Sequence, residues 1–168
     1  MAEVALIEID RTVAETLAKD DAAFEACYTA GLGENVGLLR DVVQQTLALL
    51  ETVPRDLPWG GYLGVDTAGK LVVGTCAFKT GPSDDGAVEI AYFTFPQFEG
   101  RGFATAMVRK LLAIALASPY VQTVIAHTLP QSSASMRVLE KVGMHCVGEV
   151  EDPQDGRVWR WRYDRQAH

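Results

Sequence analysis

The chain has 168 residues, 48% hydrophobic and 22% charged, with a formal net charge of -7. That length suits one domain with a real core, and the acidic balance argues against nucleic acid or an anionic membrane surface as partner while favouring a cationic substrate such as an amine. The three cysteines, Cys27, Cys76 and Cys146, form no CxxC pair, so neither a disulfide framework nor a metal site is expected. Cys76 and Cys146 fall in strand-like apolar runs and read as buried, inert thiols. No basic segment followed by an apolar one opens the chain, and no apolar run approaches the ~20 residues that cross a bilayer. The expected compartment is the cytoplasm, with no membrane partner.

In chain order, Val4 to Ile9 alternate like an edge strand. From about Asp10 to Leu50 the residues favour helix, interrupted at Gly31-Leu32-Gly33, which predicts two helices. Leu38, Leu39, Val42, Val43, Leu47 and Leu50 form the apolar stripe of the second. Pro54 to Trp59 is a proline-broken loop. Tyr62–Asp66 and Lys70–Phe78 flank a turn at Ala68-Gly69 and read as a hairpin. After a polar loop, Ala87 to Phe95 is the β-branched and aromatic run of a central strand.

Thr105 to Ala117 reads as a helix burying Met107, Leu111, Leu112, Ala115 and Leu116, stopped by Pro119. Val121 to Thr128 is a strand. Ser132 to Val142 is a helix closed by Gly143 as a left-handed cap. Val147–Val150 and Arg157–Tyr163 make a last hairpin around Asp155-Gly156. The predicted class is α/β, a mixed sheet flanked by helices, and Ala87 to Thr128 should form a parallel crossover.

Between the central strand and the next helix lies Glu99-Gly100-Arg101-Gly102-Phe103-Ala104-Thr105. A helix start leaves unpaired N–H groups and a partial positive charge, and glycines let a phosphate approach the backbone. A diphosphate can bind there, with Arg101 adding charge. No GK[ST] follows, so a P-loop does not fit, and no acid ends the next strand, which argues against a dinucleotide fold.

This turn resembles motif A of the GNAT acetyltransferases, [Q/R]-x-x-G-x-[G/A], with Gly102 and Ala104 matching and Glu99 departing from the usual residue. The segment His127 to Met144 is similar to the second half of that domain, closest to the branch containing ribosomal-protein N-terminal acetyltransferases. Ser135, Arg137, Val138, Leu139, Glu140, Lys141 and Gly143 match; Ser132 replaces the usual Asn and Met144 the usual Phe. The resemblance covers about residues 62–163 and implies one GNAT domain over the whole chain, with a splayed central sheet.

It further implies acetyl-CoA as co-substrate, held at Gly100, Arg101, Gly102, Phe103, Ala104 and Thr105. The pantetheine would pair with main chain near Tyr92, Phe93 and Phe95. Arg137 would reach the adenine or a phosphate, and no metal is implied. The reaction implied is acetyl transfer to a primary amine of a small molecule or peptide. Glu89 is the candidate base, on the strand face shared with Ala91 and Phe93. Ser135 is the candidate hydrogen-bonding acid, with helix capping as its alternative role, because the family's usual tyrosine is replaced by Leu139. His127 is a titratable alternative, and Tyr92 is assigned to core packing. Trp59, Trp159 and Trp161 offer a substrate pocket or plain packing. A homodimer stays open. Rival readings are an inactive CoA-binding sensor domain and, further off, a nucleotide-binding oxidoreductase.

Overall fold

The computed structural model describes residues 2–52, 56–131 and 133–166. Pro54, assigned to the loop before the first hairpin, and Ser132, assigned to the last helix, lie outside them. The elements are β1 (Val4–Glu8), α1 (Arg11–Lys19), α2 (Asp21–Tyr28), α3 (Val36–Thr52), β2 (Gly61–Asp66), β3 (Leu71–Phe78), β4 (Ala87–Thr94), α4 (Phe103–Ala117), β5 (Thr123–Thr128), α5 (Ala134–Lys141), β6 (His145–Asp152) and β7 (Gly156–Asp164).

The first third holds three α-helices where the composition predicts two. The break is at Asp20, whose backbone is extended at φ -168° and ψ 167°. Its carboxylate accepts from Ala23 N–H at 2.6 Å and caps α2, just as Asp10 caps α1 through Val13 N–H at 2.9 Å. An aspartate that satisfies a helix's orphan donors is worth about 1 kcal/mol, enough to divide a run whose propensities are uniform.

The seven strands form one sheet in the order β1-β2-β3-β4-β5-β7-β6. β4 and β5 are parallel, as the crossover through α4 requires, and the other neighbours are antiparallel. Residue alternation divides the apolar groups between two faces. On one face Val88 and Ile90 of β4 pack with Met107, Leu111 and Ala115 of α4 and Leu139 of α5. On the other, Leu63, Val65 and Val72 pack with Val13 and Leu17 of α1, Phe24 of α2 and Leu39 and Val43 of α3. The α3 stripe is narrower than its sequence suggests, since Leu38 is 40% exposed.

β6 pairs only with β7 and is exposed along most of its length. Cys146, expected to be buried, is therefore exposed, and so is Cys27. Cys76 is buried as expected. Two of the tryptophans weighed as pocket walls or plain packing make defined packing contacts. Trp161 is 2% exposed and donates to Thr128 Oγ1 at 3.0 Å, while Trp59 stands edge-on to Phe78 at 5.0 Å. Trp159 is half-buried against the same core.

Gly74 of β3 pairs with Thr94 of β4. A Cβ there would lie 2.2 Å from the Phe93 carbonyl oxygen. Gly74→Ala should therefore push β3 off β4 and destabilise the fold by roughly 1–3 kcal/mol or more, measured by urea denaturation.

Tyr62, Cys76 and Tyr92 are neighbours across β2, β3 and β4 in the strand register. Burial raises all three: Tyr62 and Cys76 to about 12, and Tyr92 above its ordinary value. Each native state thus holds its proton more tightly than the unfolded chain. The stability linked to these groups is complete below the ordinary thiol range and is lost as pH rises toward about 12. The melting temperature should fall across that window, and Cys76→Val should flatten the early part of the fall.

Candidate active site

β4 and β5 are in register for three pairs, Ala87 with Thr123, Val88 with Val124 and Glu89 with Ile125. Beyond Glu89 the strands part. Backbone groups on a strand point alternately to its two neighbours. Odd-numbered residues of β4 point at β3: Glu89 C=O accepts from Lys79 N–H at 2.8 Å, and past the strand end Phe95 N–H donates to Val73 C=O at 2.9 Å. The even-numbered Gly86 C=O instead accepts from Gln122 and Thr123 on the β5 side. The main chain of Tyr92 and Thr94 therefore faces the fork. This corrects the expectation for Phe93 and Phe95, whose backbone groups are turned to β3. The Phe95 side chain is fully buried as well, leaving it no part in the cleft. Phe93 itself is among the residues that line the cleft, and its half-exposed ring stands edge-on to that of Phe95 at 6.0 Å.

The cleft continues from the fork to the start of α4 and encloses about 360 Å³ between β4, the Gly100 turn and α5. Gly100, Gly102, Phe103, Ala104 and Thr105 all line it. Gly102 is the N-cap of α4 with φ +87° and ψ 3°, a left-handed conformation that an L side chain resists. The first helical bond of α4 runs from Ala106 N–H to Gly102 C=O at 3.1 Å. The amides of Phe103, Ala104 and Thr105 precede it and have no partner within the helix. They and the helix dipole give the turn a positive end that can receive an anion, a candidate cradle.

Arg101 behaves differently from its neighbours. Its guanidinium lies over the rings of Phe98 at 5.8 Å and Phe103 at 5.3 Å, beside the turn, and makes cation–π contacts there. Cationic side chains in the cleft come from α5, where Arg137 and Lys141 both line it. Lys141 was not singled out from the sequence, though its spacing four residues after Arg137 puts the two on one helix face. Thr94 was also missed. Its Oγ1 is buried at the cleft with no hydrogen-bond partner among the described residues. Such an orphan suits a bound polar group.

Ser135 lines the cleft from the first turn of α5. It is not the helix cap: that is Ser133, whose Oγ accepts from Met136 N–H at 3.4 Å. Tyr92 Oη donates to the Ser135 carbonyl at 3.3 Å and ties β4 to α5 across the fork. Tyr92 both packs in the core, as expected for its side chain, and lines the cleft. Leu139 is fully buried and offers no polar group.

Glu89 lies at the base of the fork, its side chain 25% exposed. Its Oε2 is 3.0 Å from Lys79 Nζ and 3.0 Å from His127 Nδ1. Burial alone would lower the Lys79 ammonium, but the Glu89 hydrogen bond and charge, with Asp152 and Asp155, outweigh it and hold Lys79 above its ordinary value. Among the described residues no group of three or more His, Cys, Asp or Glu could hold a metal, and no helix is long and apolar enough to cross a membrane.

An acetyltransferase (GNAT) domain model matches residues 8–145. The chain belongs to the GNAT family. An uncharacterised N-acetyltransferase, p20, from Bacillus licheniformis is 28% identical over 81 residues, a stretch covering 48% of this chain and 46% of that protein, so the match spans about half the relative's length. An acetyltransferase from Salmonella typhimurium that modifies the N-terminal serine of a 50S ribosomal subunit protein has a TM-score of 0.66 at 14% identity, covering 98% of this chain and 96% of that one. An aminoglycoside acetyltransferase solved with coenzyme A has a TM-score of 0.65 at 18% identity, covering 99% and 96%. These structures share the GNAT fold, including its open mixed sheet.

The cleft tests directly for an anionic ligand. Gly102→Glu would place a strained, negatively charged side chain at the cradle. Isothermal titration should show coenzyme A affinity reduced by about 100-fold or more, roughly 3 kcal/mol, in a protein that is still folded by circular dichroism but melts lower because of the strained backbone. Unchanged affinity would contradict the cradle.

Proposed function

We propose that this chain is an acetyl-CoA-dependent N-acetyltransferase acting on a primary amine of a small molecule or peptide. The observation that carries the reading is the amide cradle at the start of α4, which opens beside the β4–β5 fork in a chain of the GNAT family. The relative's stated N-acetyltransferase character and the coenzyme A bound by a structural neighbour support it. The acceptors named for the neighbours, an N-terminal serine and an aminoglycoside, are both amines.

Bound acetyl-CoA would supply an acyl carbon activated as a thioester. The amides of Phe103, Ala104 and Thr105 hold its diphosphate, with Arg137 and Lys141 adding charge. The fork-facing main chain of Tyr92 and Thr94 takes the place in the pantetheine contact that the family resemblance suggested for Phe93 and Phe95. An amine is protonated near neutrality and must lose a proton before it can attack. Glu89 removes that proton: Lys79 and His127 occupy Oε2, which leaves Oε1 to accept it. At the departing sulfur only a hydrogen-bond donor is needed, because a free thiol titrates at about 8.5. Ser135 provides the donor, and the protonated Tyr92 hydroxyl stands on the same wall.

Glu89→Gln should lower kcat by roughly 10²–10⁴-fold in a thiol-release assay and leave coenzyme A affinity within about twofold of the parent. Equal kcat would remove Glu89 as the base. Tight coenzyme A binding without turnover on any amine would favour a binding domain over an enzyme.

A further inference from the structure

The contacts of Glu89 extend to a third strand. His127 belongs to β5, two residues beyond the last pair that β5 makes with β4. Its side chain is 10% exposed. In the β5–β7 ladder His127 pairs directly with Arg160. That register brings Arg160 Nε to 3.1 Å from His127 Nε2. An arginine Nε can only donate, so Nε2 must offer its lone pair. The proton of the neutral ring then belongs on Nδ1, where the Glu89 carboxylate accepts it at 3.0 Å. Lys79, immediately after β3, reaches the same oxygen. The result is an alternation of ammonium, carboxylate, neutral imidazole and guanidinium in which each proton has one consistent position.

We propose that Arg160 locks His127 in the Nδ1–H tautomer, and that His127 is thereby a positioning residue holding the Glu89 carboxylate at the base of the fork. The functional part rests on the reading of Glu89 as base; the tautomer lock does not. With Oε2 fixed by two donors, the carboxylate keeps one orientation, and Oε1 is presented in the same place at each encounter. In this arrangement His127 has no free nitrogen for proton transfer to an acceptor, so the histidine weighed as a titrating group acts through Glu89.

The test uses the full chain with ¹⁵N-labelled imidazoles. The chain has three histidines, and the His127 signal is the one missing from His127→Asn. In the parent protein the His127 spectrum should show Nδ1 protonated and Nε2 bare. In Arg160→Met, Nε2 loses its donor, so Nε2–H should appear, as the other neutral tautomer or as an imidazolium still bonded to Glu89 through Nδ1. A parent spectrum with the proton on Nε2, or an Arg160→Met spectrum with the tautomer unchanged, would overturn the lock.

The kinetic arm follows thiol release from acetyl-CoA with a serine-terminated peptide, an aminoglycoside and a polyamine, using the fastest. Arg160→Met should lower kcat about 10-fold and change the KM for acetyl-CoA by less than about twofold. His127→Asn, whose amide can still donate to Glu89, should retain more kcat than His127→Leu. Parent-like kcat in Arg160→Met alongside an inactive Glu89→Gln would sink the positioning role and leave the base standing. Parent-like kcat in Glu89→Gln would sink the base, while the spectra still decide the lock.

Discussion

Parallel pairing between β4 and β5 lasts for only three residues, and the site is organised around where it ends. Strands that stayed paired would satisfy each other's amides and leave no edge for a ligand. Parting after Glu89 exposes the main chain of Tyr92 and Thr94 inside an otherwise continuous sheet. Two polar ties bridge the gap. On the α4 face Tyr92 Oη reaches the Ser135 carbonyl of α5; from the opposite strand face Glu89 meets His127. Groups that line or adjoin the cleft thus tie its walls together on both strand faces.

The flanking layers fit that opening. α4 begins at the cleft mouth with Gly102 in a left-handed turn and buries Met107, Val108, Leu111 and Ala115 completely. Its N-terminal amides are therefore anchored by the rest of the helix, and a rigid cradle costs little ordering on binding. α5 is shorter, and its Arg137 and Lys141 meet the same cleft from the other side. Charge in the cleft is local: a chain with a net charge of -7 gathers amide dipoles and two cations at one place, so its overall acidity says little about the ligand.

The turn at residues 99–105 was legible because its chemistry is local. Glycines at fixed offsets between a strand and a helix specify a backbone shape, and that shape binds anions whatever packs around it. Four of the five expected core positions of α4, Met107, Leu111, Leu112 and Ala115 but not the half-buried Leu116, and the closing glycine of α5 were legible for the same reason: helical period and a positive φ are properties of neighbouring residues. Asp20 was missed because a capping aspartate resembles any other polar residue in a helical run until its side chain turns back to the backbone. Cys146 was misjudged because an apolar run does not reveal that its strand lies at the sheet edge.

The amino-acid order by itself determined most of the elements, the glycine turn that opens α4 and the family, since each rests on patterns of neighbouring residues. Tertiary structure decided which groups keep company. Lys79, Glu89, His127 and Arg160 are scattered over 82 positions and meet only because three strand registers align them. It also decided which amides of β4 face the fork, because that parity depends on which strand lies on each side. Register is a long-range property: a one-residue slip would reverse every one of these contacts, and no local pattern in the chain reports it.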